Sequence, residues 1–320
     1  MRNIRSILVF HPALWALIAL QGAIIAIWIG IDPRISFNLT NAGQTSLAVS
    51  ICLLIAAAIT HFLPVSRRSA FAERARIMAV GLAFLLVAFV GIRLLNYLTM
   101  SLAFPLADEW LDSWDKLLGI DWYAYALWMG EYPDLLSFSE LPYGMTIQTV
   151  GVIFVALVLF GRIERAKELV TLLFLGALIT VSISGFFPAT AAMVHYMDDN
   201  LRALYGANVG VYHMAAFTDV REAQTIVLNL VERPGLATFP SYHTIAGLLI
   251  VYALRDNLIM LLAGSVWSGA MLLATPILGG HYFIDIIAGT LVTVALAAAY
   301  ATVGTLNFFP YQVAAPEPVP

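Results

Sequence analysis

The chain has 320 residues, 61% of them hydrophobic and only 11% charged, with a mean hydropathy of +0.87. Soluble domains carry about 25% charged residues, so this composition excludes an ordinary soluble globule and describes an integral membrane protein. The net charge of -4 arises from few, scattered charges and excludes a nucleic-acid surface, while the single cysteine, Cys52, lies in an apolar run and allows no intrachain disulfide.

Arg2 and Arg5 precede an apolar run that extends from about Ile7 to Ile31 without a small-residue cleavage site, which reads as a retained first span. Further spans are expected near 47–64, 77–99, 144–161, 169–188, 240–254, 258–278 and 283–304. Most have the roughly 17 to 25 residues a bilayer demands, although 240–254 is short. The expected fold is therefore all-α, a polytopic transmembrane helical bundle of about eight spans. Arg67, Arg68, Arg74 and Arg76, then Arg162, Arg165 and Lys167, then Arg255 join the N-terminal arginines in alternate connections. Basic connections stay cytoplasmic, which puts both chain ends inside and the starts of the sixth and eighth spans at the outer face.

Segment 100–143 is acidic and rich in aromatic residues, including Trp110, Trp114, Trp122, Tyr123, Tyr125, Trp128 and Tyr132. Two arrangements suit it: an interfacial amphipathic helix with its rings among the headgroups, or a helix packed over the outer end of the bundle. The loop 188–239 is the other long outer element and carries His195, Arg202, His213, Arg221, Glu222, Glu232 and Arg233. Residues 305–320 read as a proline-rich cytoplasmic tail.

Two histidine motifs stand out against this apolar background, Phe239-Pro240-Ser241-Tyr242-His243 and Gly279-Gly280-His281-Tyr282-Phe283-Ile284-Asp285. An ionisable group near a membrane helix costs about 2.5 kcal/mol or more unless it is paired or functional. His281 and Asp285, four residues apart, share one face if Tyr282 onward is helical. A carboxylate holding one imidazole nitrogen leaves the other as a nucleophile, and His243 can handle the second proton transfer. Ser241 and the start of the sixth span can donate hydrogen bonds to an anion. The same spacing also suits a structural hydrogen-bond pair or a partial metal site, although no complete zinc ligand set and no glycine-rich phosphate loop accompany it.

These two blocks resemble the Pro-Ser-x-His and His-x-x-x-Asp motifs of the type 2 phosphatidic acid phosphatase superfamily, in particular its membrane branch related to inositol phosphorylceramide synthases. The resemblance covers about 144–304, which would form the catalytic core with a six-helix phosphatase-like bundle, residues 1–99 being an N-terminal extension or its first helices. It implies that His281 attacks phosphorus, Asp285 orients it and His243 is the general acid and base, with no cofactor and no metal. Two departures bear on the substrate. Many superfamily members carry an arginine six residues before the nucleophile, where Thr275 stands, and the upstream basic block retains only Arg233-Pro234, with Ile226 seven positions earlier. A phosphoryl transition state still needs positive charge or donors. The expected phosphate contacts are Arg233 and Arg221, with Ser241, Tyr242 and Gly280, and Arg202 as a weaker third arginine. Arg93 and Asn96 in the third span read first as packing or snorkelling residues.

The resulting expectation is an outer-face membrane phosphatase for a phosphorylated lipid, acting through a phosphohistidine in a bacterial inner membrane with its site facing the periplasm. Two other readings stay open: a lipid headgroup phosphotransferase that uses a lipid alcohol acceptor, and a non-catalytic lipid-binding protein or transporter.

Overall fold

The computed structural model describes residues 9–38, 41–62, 70–222, 225–229 and 234–305. Arg2, Arg5, Arg67, Arg68, Glu232, Arg233 and the tail beyond 305 lie outside these residues. In chain order the elements are α1 (Pro12–Ile31), β1 (Ile35–Asn38), α2 (Asn41–Phe62), α3 (Ala70–Met100), α4 (Asp108–Leu117), α5 (Trp122–Gly130), α6 (Pro133–Gly144) and α7 (Thr146–Leu159). They continue as α8 (Ile163–Phe186), α9 (Ala192–Tyr196), α10 (Asp199–Tyr205), α11 (Met214–Glu222), β2 (Ile226–Asn229), α12 (Tyr242–Ala253), α13 (Leu258–Leu278) and α14 (Phe283–Thr305).

The eight apolar stretches of the sequence are occupied by α1, α2, α3, α7, α8, α12, α13 and α14. Among the described residues, α1, α3, α8, α13 and α14 are each long and apolar enough to cross a membrane. A sixth span forms if α6 and α7, bent by 56° at their junction, are taken together. The bend falls at Gly144 and Met145, just after Pro142, whose ring removes a backbone donor inside α6. Segment 100–143 is thus three helices, and the last of them runs into the expected fourth span. At 12 residues α12 is only about 18 Å long, too short to cross a bilayer alone. It is instead wrapped by α7, α8, α13 and α14.

Close helix approach at α12 depends on a missing side chain. A methyl built on Gly247 would stand 2.1 Å from Met271 Cε, and the Ser268 hydroxyl donates to the Gly247 carbonyl at 2.8 Å. The core below is aromatic and aliphatic, with Phe84 packed edge-on to Phe174 at 5.4 Å and Phe154, Leu169 and Ile245 buried around them. Long apolar side chains such as Ile27, Ile55, Ile59, Leu262 and Val266 are exposed on α1, α2 and α13, as helices facing lipid require. One strand pair departs from an all-helical chain. β1 and β2 run parallel in register from Ile35 opposite Ile226 to Asn38 opposite Asn229, and Ile35, Ile226 and Leu228 bury against Tyr97 and Leu98 of α3. The pair ties the connection after α1 to the chain leading into the first histidine motif.

Candidate functional site

Both motifs sit at one end of the bundle because α12 and α14 begin side by side. The Ser241 amide donates to the Asp285 carbonyl at 3.0 Å. Gly289 makes that contact close, since a methyl there would lie 2.7 Å from the Ser241 carbonyl oxygen. Upstream, the chain entering the first motif is pinned to α3, where Asn96 Oδ1 accepts from the Leu236 amide at 2.7 Å and Tyr97 donates to the Pro234 carbonyl at 2.8 Å. Asn96 is therefore a strut for the motif.

His281 lies in the turn between α13 and α14, after Gly280 at φ +64°, a left-handed conformation that glycine accommodates without strain. Its Nδ1 lies 3.0 Å from Asp285 Oδ2, and the same oxygen accepts from the Tyr282 amide at 3.0 Å. The carboxylate assigns the tautomer with hydrogen on Nδ1, which leaves the lone pair on Nε2. Nε2 faces Ser241 Oγ at 3.4 Å, and Ser241 also caps α12 by accepting from the Thr244 amide. The His243 ring stands 6.5 Å from the His281 ring, centroid to centroid. Burial pushes the His281 imidazole down to about 4, against a smaller upward pull from the Thr238 backbone, so near neutrality the ring is uncharged. A neutral imidazole with a carboxylate behind it and a second imidazole in front can attack phosphorus and have the departing oxygen protonated.

The aromatic segment grips this turn through α4 and α5. Trp122 Nε1 donates to the His281 carbonyl at 2.9 Å. Asp115 accepts from the Phe283 and Ile284 amides at 2.8 and 2.7 Å, capping α14, and the Tyr282 hydroxyl donates to Asp108 at 3.1 Å. Asp108 also receives the Thr190 and Ala191 amides. Ala191, held at φ +119°, is a strained non-glycine residue whose neighbour Ala192 donates to the Gly280 carbonyl. Burial raises the Asp115 carboxyl, partly offset by its two amide bonds, whereas Asp112 is held low by Lys116 and Tyr196 in spite of its burial. His213 is buried nearby, its Nε2–H donating to the Thr190 carbonyl at 2.9 Å, and burial lowers it too.

Several expected phosphate contacts fall elsewhere. Tyr242 is turned away from His281: its ring packs on Phe89 of α3 and its hydroxyl donates to the Leu173 carbonyl of α8. The reason is helical geometry, since α12 starts at this residue and directs consecutive side chains about 100° apart. Gly280 presents backbone only, and its carbonyl is already taken by Ala192. Arg202 lies on α10, largely exposed, facing Asp199 of the same helix at 3.8 Å. Arg221 on α11 donates from Nη2 to the Phe104 carbonyl at 2.8 Å, and its buried Nη1 has no hydrogen-bond partner. Arg233 is outside the described residues. Thr275 turns its hydroxyl back to the Met271 carbonyl.

Sequence reasoning passed over Asp108, Asp115, Trp122, His213 and Tyr143, whose ring stacks on His243 at 4.3 Å. The signal available was the spacing of Asp108, Asp112 and Asp115, which places three acids on one helical stripe and, in the structure, all three buried. Among the described residues no three His, Cys, Asp or Glu side chains converge as a metal-ligand set.

Residues 109–300 match the family model of the PAP2 superfamily, a segment that runs from α4 into α14 and contains both histidine motifs. No curated protein and no solved structure matches the chain. With the match extending over more than half of the chain, and long apolar helices forming the bundle, the protein belongs to the PAP2 superfamily, whose activity is phosphatase-type on phosphorylated substrates.

Proposed function

We propose that the protein is a membrane lipid-phosphate phosphatase that works at the outer face through a phosphohistidine. The observation that carries this reading is the ordered set Asp285 Oδ2, His281 Nδ1, His281 Nε2 and Ser241 Oγ, with the His243 ring edge-on to that of His281 at 6.5 Å. In the first step Nε2 attacks phosphorus, the ester P–O bond breaks, and the leaving oxygen takes a proton from His243. The positive charge on the phosphorylated imidazole is balanced by Asp285. In the second step His243 accepts a proton from water, the oxygen attacks phosphorus, the P–N bond breaks, and phosphate departs from a neutral His281.

A lipid substrate is supported by the rim beside the first motif. Trp110 stacks on Phe187 at 5.5 Å and meets Phe239 edge-on at 6.0 Å, two residues before Ser241, and Trp110 and Phe187 remain substantially exposed. Such rings suit the headgroup layer and an adjoining acyl chain. Arg221, away from His281, keeps a buried Nη1 without a hydrogen-bond partner, a donor available to another polar group of the substrate. Arginine-rich alternate connections support an outer, periplasmic orientation in a bacterial inner membrane.

The test is turnover of labelled lipid phosphates by the purified protein in nanodiscs, with acid-labile phosphoenzyme trapped on rapid quenching. His281→Ala should abolish both signals. Full turnover in that variant would falsify the proposed nucleophile. Adding lipid alcohols separates release of phosphate to water from transfer to an acceptor, because the two share only the first step.

A further inference from the structure

Tyr143 Oη, like Thr244 Oγ1, is buried without a hydrogen-bond partner, and it alone of the two belongs to a ring packed on His243. Tyr143 is the penultimate residue of α6, where the 56° break between α6 and α7 swings its side chain inward against Met271 and Ala274. The side chain is buried, with a residual exposure of 8%. Its ring lies nearly parallel to that of His243, 18° off and 4.3 Å away. Its hydroxyl reaches past His243 to the bare α-carbon of Gly279. A methyl built on Gly279 would stand 2.5 Å from the hydroxyl oxygen and 2.7 Å from His281 Cδ2, the ring carbon bonded to Nε2. The phenol and the reactive edge of His281 are thus neighbours across one glycine. Although Tyr212 lies near the hydroxyl, the oxygen makes no hydrogen bond of ordinary geometry.

A buried hydroxyl left unpaired costs about 1–3 kcal/mol, which a fold tolerates where a ligand completes it. A phenol is protonated at neutral pH and is a donor to anionic oxygen. The spot it occupies adjoins the Thr275 carbonyl, 2.9 Å from the same built methyl, and the Thr275 side chain itself is engaged with its own helix. No guanidinium or ammonium contact to His281 is seen among the described residues. We propose that Tyr143 donates a hydrogen bond to a non-bridging oxygen of the phosphoryl group as it transfers to His281, a neutral donor where a cation would otherwise stand, while its ring fixes His243 by stacking. This rests on the phosphohistidine reading above.

The experiment uses orthovanadate, which becomes five-coordinate on a nucleophile and so stands in for a phosphoryl group in flight, titrated calorimetrically into the full chain in nanodiscs. Tyr143→Phe removes one oxygen and keeps the ring. It should weaken vanadate binding about 10- to 100-fold, the value of a donor to a charged acceptor, with a ligand-free melting temperature no lower than that of wild type. Its pH profile should match wild type, whereas Tyr143→Leu, lacking the stacked ring, should also displace the limb that reports His243. The proposal is overturned if Tyr143→Phe binds vanadate within about twofold of wild type while His281→Ala has lost binding. If His281→Ala binds as tightly as wild type, the nucleophile assignment itself fails. The two failures are thereby separate.

Discussion

The two ends of the bundle hold buried charge in opposite ways. At the end away from the histidines, Glu168 accepts from Arg165, Arg255 and Tyr252, and Arg165 forks onto Asp256 at 2.7 and 2.8 Å. Acids there meet guanidiniums, and the network clamps α8 to the C-terminal end of α12. At the histidine end, Asp108, Asp115 and Asp285 meet backbone amides, hydroxyls and an imidazole, only Asp112 pairs with a lysine, and Asp285 Oδ1, Tyr143 Oη and Arg221 Nη1 are left without partners. The contrast teaches that ion pairs and amide caps are two ways of burying acids, and that the candidate site uses the second, with donor and acceptor capacity left over around it.

The largest expected effect tests the reactive end directly. His281→Ala and Asp285→Ala should each lower phosphate release by about 10⁴-fold or more per folded protein, as losses within a cooperating catalytic group do. A loss below tenfold for Asp285→Ala would dissolve the contrast. Next comes the capping acid. Asp115→Asn keeps the shape but offers one acceptor oxygen to two amides, and it should cost about 1–2 kcal/mol of stability and, through loosening of the His281 turn, about tenfold in kcat. Thermal melting and kinetics on the same preparation separate the two effects.

At the opposite end, Glu168→Gln should cost about 2 kcal/mol of stability, moderated because both guanidiniums are partly exposed, and leave kcat within twofold. A large loss of kcat in that variant would show that the ends are coupled. A smaller effect is expected on acidification. Burial depresses His281 to about 4, so below pH 6.5 the unfolded chain binds a proton that the native site refuses. Stability is then full above 6.5 and falls as the pH drops toward 4. The melting temperature of wild type should decline over that window, and His281→Asn should flatten the decline. Arg202→Ala should change turnover by less than twofold, since its guanidinium faces Asp199 in solvent.

What was legible in the sequence follows the range of each interaction. His281 and Asp285 were readable because their bond spans four residues and a helix turn brings such a pair together. Trp122 and Asp115 were not, since their bonds to the His281 turn cross 159 and 168 residues. Tyr242 was chosen by adjacency: it neighbours His243 in sequence, yet the helix turns it about 100° away, toward Phe89 and Leu173.

The sequence alone determined a helical membrane protein in which His281 and Asp285 lie one helical turn apart, because hydropathy and i, i+4 spacing are local properties. The tertiary structure alone decided that α12 is enclosed by α7, α8, α13 and α14, that α4 and α5 hold the His281 turn, and that Tyr143 meets His243. These depend on how α6 bends and on which glycines let helices touch. Backbone close approach is a property of pairs of elements, and no single stretch of chain carries it.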